Sequence, residues 1–258
     1  MFKLTERDCV DIKDEVLEGR LTVGGMWVFL VCSFIISSIV VGVSYAVSNA
    51  NTVGWDTLSQ GWHMIFFVEV ILFILHIIIL ISCWANKPFN QKILSVSAVV
   101  CAYRIAFEPY FLLLMFSKDG GTYEFYYPIV LVVIICALTF HVVVFRGWIK
   151  SLKTTESNPG IFDKFYLLKF FFPLPVLFFL VTAIGSLVRN GTFGDHELTF
   201  LLFLNLIVTF GLMVAVCEFI IASYCIFRFP SFSVNAPKLK KKQYVKQSKS
   251  KKKKKKRR

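Results

Sequence analysis

Charged residues are scarce in this chain. Asp, Glu, Lys and Arg make up 17% of its 258 residues, while 56% are apolar; soluble domains hold about a quarter of charged residues. Because so few charges leave too little polar surface to face water, the composition excludes an ordinary soluble domain. The shortage of charge indicates a membrane protein.

Catalytic motifs are also lacking. The sequence contains no HExxH, no Ser/His/Asp set and no phosphate-binding glycine loop. Its seven cysteines form no CxxC or Cys/His cluster, and all except Cys9 lie within or beside apolar runs, where Cys is most simply a small apolar filler. We therefore expect no enzymatic activity, no cofactor and no metal site.

What the chain has in abundance is long apolar runs. A helix of about 20 residues crosses a hydrocarbon core about 30 Å thick. Six stretches qualify, at residues 22–47, 61–84, 91–116, 125–148, 168–188 and 199–228. We predict an all-α, polytopic bundle of six transmembrane helices, preceded by an N-terminal segment at 1–21 and followed by a disordered polybasic tail at 229–258.

Basic residues predict the orientation of the bundle, because short cytoplasmic loops hold an excess of Lys and Arg. With the N-terminus inside, 26 basic residues lie on the cytoplasmic side and two, Lys118 and Arg189, lie outside. Both termini are thus predicted to be cytoplasmic. In the N-terminal segment, Cys9, Ile12 and Val16 have helical spacing, which fits either a short amphipathic helix near the membrane or a solvated cap.

Six Glu, His and Arg residues lie away from the ends of the predicted spans, where charges are costly and by default mark candidate functional sites. From a rise of about 1.5 Å per residue, they divide by depth into two groups. The outer group is Glu69, Arg104 and Glu108, and the inner group is His76, His141 and Glu218. Arg104 and Glu108 are four residues apart on one helical face and can pair directly.

Three interpretations of the outer group stay open. Its charges can neutralise one another and only fix helix packing. Glu69 can instead carry a proton or a cation, or Arg104 can receive an anionic lipid headgroup or a peptide carboxylate. The inner group can form a proton relay, but we expect its histidines to bond backbone carbonyls of neighbouring helices.

Two further features concern helix packing. Pro109 directly follows Glu108 and removes a backbone hydrogen bond, which favours a wet or ligand-binding spot beside the outer group. Small residues four apart predict close helix approach. They are Ser38, Gly42 and Ala46 in the first span and Ala98 and Ala102 in the third.

The C-terminal tail holds 14 of the 29 basic residues and no acid between residues 238 and 258. Without those residues the chain is nearly neutral, so we expect no nucleic-acid binding. A polybasic segment beside a membrane favours contact with anionic lipid headgroups. The residues predicted to make this contact are Lys238, Lys240, Lys241, Lys242, Lys246, Lys249, Lys251, Lys252, Lys253, Lys254, Lys255, Lys256, Arg257 and Arg258.

Two eukaryotic signals bear on localisation. Asn190 begins a glycosylation sequon, and Lys255 with Lys256 fits a dilysine retrieval signal of the endoplasmic reticulum. The sequon lies next to a predicted span, where modification is sterically poor, and any terminal Lys run satisfies the second pattern. We therefore favour a bacterial plasma membrane over the endoplasmic reticulum.

In its build the chain resembles uncharacterised small membrane proteins of Gram-positive bacteria, some of which accompany type VII secretion loci. The likeness rests on six Phe- and Ile-rich spans, short loops and a Lys-rich end that begins Lys238-Leu239-Lys240-Lys241-Lys242. It implies an accessory protein, or an immunity protein that shields the membrane from a secreted toxin.

The sequence thus leaves two functional hypotheses. The first is a non-enzymatic membrane protein that acts through helix contacts with a membrane or secreted protein partner, in an accessory or toxin-immunity role. The alternative is a small secondary transporter, or ion-coupled carrier, that uses Glu69, Arg104 and Glu108.

Overall fold

The computed structural model describes residues 4–50, 53–85, 87–154 and 196–235. In these residues the chain forms one short helix and five long ones. They are α1 (Val10–Leu17), α2 (Val23–Ser48), α3 (Gln60–Ser82), α4 (Pro88–Asp119), α5 (Tyr123–Thr154) and α6 (His196–Arg228). The all-helical class is confirmed, and each of the five long helices is long and apolar enough to cross a membrane. The protein therefore has the build of a multi-pass membrane protein.

The five long helices coincide with the first four predicted spans and the last. The predicted span at 168–188 lies outside the described residues, as do Asn190 and the basic residues of the tail. The total number of spans and the cytoplasmic placement of the termini accordingly stay predictions.

Local sequence accounts for several helix ends. The Thr22 hydroxyl accepts a hydrogen bond from the Gly25 amide at 3.2 Å and caps the start of α2. Pro88 occupies the first turn of α4, where a missing amide hydrogen costs nothing. Between α4 and α5 the chain turns at Gly121, whose φ of 71° favours glycine.

Helix α4 lies at the centre of the described bundle, with α2 packed on one side and α6 on another. Helix α5 packs mainly on α6, while α3 lies at the periphery and is the least buried of the five. The Trp27 indole donates to the Leu80 carbonyl at 3.1 Å and so joins one end of α2 to α3. Helices α2, α3 and α4 therefore surround a common interior.

The face of α2 that is buried in the bundle carries four serines. Ser33, Ser37, Ser44 and Ser48 are all buried, together with Met26, Leu30 and Val41, at steps of three or four residues. By contrast, Gly42 and Ala46 are exposed. None of the described helices therefore packs closely on these two residues of α2, whereas Ala98 and Ala102 of α4 are fully buried.

A cap formed by the N-terminal segment covers one end of the bundle. Cys9, Ile12 and Val16 are buried in one apolar cluster with Phe232, which follows α6. The Arg20 guanidinium bonds the Glu218 carboxylate of α6 at 2.6 Å, and Ser231 donates to Glu6. The amphipathic helix α1 therefore docks on the bundle itself.

Candidate functional site

The structure brings all three residues of the predicted outer group together. Arg104 Nη2 lies 2.7 Å from Glu69 Oε2 and 2.7 Å from Glu108 Oε1. Glu69 projects from α3, while Arg104 and Glu108 project from successive turns of α4. One guanidinium nitrogen therefore serves two carboxylates from two helices.

Helix α2 adds a fourth group that the sequence analysis did not identify. The Ser37 hydroxyl donates a hydrogen bond to Glu108 Oε2. The other three buried serines of α2 bond carbonyls of their own helix instead. Because steps of three and four residues mark one helical face, the spacing of these serines was the available signal. We call Ser37, Glu69, Arg104 and Glu108 the acid–base cluster.

The acid–base cluster is deep inside the bundle. The side chains of Arg104 and Glu108 are only 8% and 4% exposed, and that of Glu69 is 14% exposed. Arg104 lies at the midpoint of α4, and Ser37 and Glu69 lie close to the midpoints of α2 and α3. If these helices cross a bilayer, the cluster is near its centre.

Charge within the cluster is unbalanced. Two carboxylates around one guanidinium carry a net charge of −1 when both acids are ionised. Glu108 Oε1 is also poorly satisfied: it is within 2.7 Å of Arg104 Nη2, but the alignment is not that of a hydrogen bond. Neither this oxygen nor Arg104 Nε has a hydrogen-bond partner among the described residues. Such a site favours one additional positive charge.

An aromatic ring, an imidazole and a thiol lie close to the acid–base cluster. The Arg104 guanidinium carbon lies 4.9 Å from the centre of the Phe73 ring, a cation–π geometry. His76 Nε2 is 3.0 Å from the Leu30 carbonyl and must donate to it, because a carbonyl only accepts. The Cys101 thiol lies 3.8 Å from His76 Nδ1. The imidazole of His76 thus lies between the Leu30 carbonyl of α2 and the Cys101 thiol of α4.

The three residues of the predicted inner group have separate described partners. His76 bonds Leu30, as stated above, whereas His141 Nδ1 bonds the Met213 carbonyl at 2.8 Å. His141 Nε2 is 2.8 Å from the Tyr103 hydroxyl, and Glu218 pairs with Arg20. Both nitrogens of His141 have partners on other helices, which is the helix-bridging role expected of these histidines.

The turn around Pro109 is held by side chains of α6. Asn205 Nδ2 donates to the Pro109 carbonyl at 3.0 Å, and the Thr209 hydroxyl lies 2.9 Å from the Ala106 carbonyl. The sequence analysis missed both α6 residues, because an uncharged polar residue in an apolar run gives no sign of its partner. The loosened turn of α4 therefore faces polar side chains of α6.

No group of three or more His, Cys, Asp or Glu side chains in the described ranges is arranged to hold a metal ion. All seven cysteines lie in those ranges and are free thiols.

Comparison with known proteins yields no relative. No protein-family model, curated protein or solved structure matches the chain. The resemblance to small Gram-positive membrane proteins therefore stays a prediction.

Proposed function

We propose that the protein is a small ion-coupled membrane carrier that binds and releases a proton at its acid–base cluster. The observation that carries this proposal is that Glu69 and Glu108 share the single Arg104 guanidinium in the bundle interior. Burying an uncompensated charge is expensive. A proton on one carboxyl neutralises the site, and its release makes the site anionic.

Glu108 is the carboxyl that we assign to the proton. Glu69 makes an aligned hydrogen bond with Arg104, while Glu108 Oε1 does not. Of the two acids, Glu108 is also the more buried. Since a carboxylate that is less hydrated and has no aligned bond to the guanidinium gains most from protonation, we assign Glu108 as the exchange site, while Glu69 keeps the guanidinium in place.

Peripheral helix α3 suits a carrier. It supplies Glu69, and yet it is the least buried of the five long helices. Small rigid-body shifts of packed helices are one known kind of conformational change. In this proposal α4 and α6 form the fixed part, and α3 moves with Glu69.

Infrared difference spectroscopy on the purified full-length protein tests the proposal. Between pH 8 and pH 5 we expect a protonated-carboxyl band to appear in the wild type and to be absent in Glu108→Gln. Glu124→Gln, which alters an exposed acid in the first turn of α5, is the matched control and should retain the band. A wild-type band that persists in Glu108→Gln would overturn the assignment.

The interaction hypothesis needs its own experiment. An accessory or toxin-immunity role predicts a stoichiometric protein partner after gentle purification from the native membrane, and predicts that Glu69→Gln is tolerated. A carrier predicts loss of activity in Glu69→Gln with the fold intact. Mass spectrometry of the purified material, combined with that variant, separates the two roles.

A further inference from the structure

The serines of α2 use two kinds of hydrogen-bond acceptor. Four of their hydroxyls donate, at 2.7 to 2.8 Å, to a carbonyl three or four residues back in α2 itself. These serines are Ser33, Ser38, Ser44 and Ser48. Ser37 lies on the same buried face as Ser33 and Ser44, but its hydroxyl donates to Glu108 Oε2 on α4. One serine of this face is therefore bonded to the carboxyl that we assign to the proton.

Ser37 has the same alternative acceptor as the other serines of α2. Serine hydroxyls in helices can bond the carbonyl four residues back, which for Ser37 is the carbonyl of Ser33. A turn about the side-chain torsion of Ser37 from one staggered position to another is enough to reach it. The Glu108 carboxylate and the Ser33 carbonyl therefore compete for the hydrogen of one hydroxyl.

The charge on Glu108 decides this competition. A hydrogen bond to an ionised acceptor is roughly twice as strong as one between neutral groups. While Glu108 is ionised, its carboxylate is the stronger acceptor, and Oε2 is the oxygen that faces Ser37 because Oε1 lies beside Arg104. Once Glu108 is protonated, its carboxyl is a neutral acceptor and loses that advantage over the backbone carbonyl.

We propose that Ser37 is a switch contact, whose hydroxyl bonds Glu108 while Glu108 is ionised and turns to the Ser33 carbonyl when Glu108 takes up its proton. This inference rests on the proposed proton exchange at Glu108, and it adds a positioning residue through which α2 responds to that exchange. The O–H bond of Glu108 is the one covalent bond that forms and breaks, and its proton comes from solvent and returns there. The hydrogen bond between α2 and α4 at the acid–base cluster thus belongs to the ionised state.

The groups that face Glu108 come from each helix packed around it. Helix α2 offers the Ser37 hydroxyl, which does not titrate, and the two charged side chains that act on Glu108 are Arg104 and Glu69. Helix α6 directs the uncharged side chains of Asn205 and Thr209 to this stretch of α4. The other titratable side chains described along this part of the interior are His76 on α3, Cys101 and Tyr103 on α4, His141 on α5 and Cys217 on α6.

Substitution of Ser37 tests the switch through the infrared titration of Glu108 in the full-length protein. Ser37→Ala removes a donor that favours the ionised form, so the pH midpoint of the protonated-carboxyl band should rise by about one pH unit. Ser37→Thr keeps a hydroxyl and should retain the wild-type midpoint. Ser44→Ala is the matched control and should leave the midpoint unchanged, because Ser44 is fully buried on the same face and bonds Val40 of its own helix.

The turn of the hydroxyl can be measured in the wild type, without any substitution. The ¹³Cβ shift of a serine reports its side-chain torsion. In lipid bilayers the Ser37 signal should therefore move between pH 8 and pH 5 with the same midpoint as the infrared band, while the Ser44 signal stays in place. In Glu108→Gln, which presents a neutral acceptor at every pH, the Ser37 signal should remain at its low-pH position.

The possible failures are distinguishable. If the Glu108 band titrates with one midpoint in the wild type and in Ser37→Ala, or if the Ser37 signal does not move, the switch is overturned and the carrier proposal stands. A Ser37 signal that still moves with pH in Glu108→Gln would also overturn the switch, because another group would then drive it. If the Glu108 band does not titrate in the wild type, the carrier proposal itself fails and the switch fails with it.

Discussion

At the scale of single residues, the guanidinium of Arg104 decides whether the acid–base cluster is stable. Among the described residues, this guanidinium forms ion pairs with both Glu69 and Glu108. Removing one partner of a buried ion pair typically costs about 3–5 kcal/mol, whereas replacing a whole set by neutral groups is often tolerated. The cluster therefore gives a prediction that separates loss of fold from loss of function.

Arg104→Leu should lower the thermal midpoint of the purified protein sharply, because two carboxylates remain buried without their cation. The triple variant Glu69→Gln/Arg104→Leu/Glu108→Gln should regain most of that loss, while it loses the infrared band. Thermal unfolding monitored by circular dichroism checks both variants. An Arg104→Leu protein as stable as the wild type would mean that the three charges are not paired in the interior.

At the scale of helices, α4 depends on polar contacts from α6 around Pro109. Thr209 is fully buried, and its hydroxyl contacts the Ala106 carbonyl and, at 3.0 Å, the Tyr110 hydroxyl. Thr209→Val should lower stability by about 1 kcal/mol, because hydrogen bonds between membrane helices contribute about 0.6 and at most about 1.7 kcal/mol. Thr139→Val is the control, since Thr139 is exposed and bonds Ile135 of its own helix. Equal thermal midpoints for Thr209→Val and Thr139→Val would show that the hydrogen bonds from Thr209 to α4 do not stabilise the bundle.

The N-terminal cap should respond to pH through Glu6, which lies outside the membrane-crossing helices. Hydrogen bonds from Ser231 and then Lys13 lower the pKa of Glu6 below its ordinary value of 4.5. Its carboxylate therefore contributes stability above pH 4.5, and this contribution is lost as the pH falls through the lowered folded pKa.

The measurement for the cap is hydrogen–deuterium exchange of the α1 amides, corrected for intrinsic rates. Exchange in the wild type should increase as the pH falls below 4.5, whereas Glu6→Gln should show the faster exchange already at neutral pH. A wild-type cap that responds to pH like Glu6→Gln would contradict the role of this contact.

At the scale of the whole molecule, charge is concentrated at one end of the chain. The 14 basic residues after residue 237 should bind anionic headgroups, with about 1 kcal/mol from each residue near the surface. Native mass spectrometry should find more phosphatidylglycerol retained by the full chain than by a chain ending at residue 235. The difference should shrink in high salt. Equal retention by the two proteins would contradict lipid contact by the tail.

Sequence alone predicts the long helices well, because each requires an unbroken apolar run that few other structures accommodate. It also brings Arg104 and Glu108 together, since four residues is about one helical turn. The contacts of Ser37 and Thr209, by contrast, could not be predicted from the sequence. Their partners lie on other helices, 71 and 103 residues away in the sequence, and no local pattern specifies which helices become neighbours.

The small-residue prediction shows the same limit. Gly42 and Ala46 have the spacing of a helix-packing face, but α2 buries its serine face and leaves these two residues exposed. The buried face instead carries Ser37, which donates a hydrogen bond to Glu108 on α4. Residue size alone does not indicate which face of this helix turns inward.

We propose that Glu108 exchanges a proton while Glu69 keeps its hydrogen bond to Arg104. Solid-state NMR of the full-length protein in lipid bilayers measures it most directly, through the side-chain carboxyl ¹³C shifts of both residues between pH 5 and pH 8. We expect the Glu108 signal to move from the protonated to the ionised position while the Glu69 signal stays at the ionised position. A Glu108 carboxyl that remains ionised throughout this range would contradict the account.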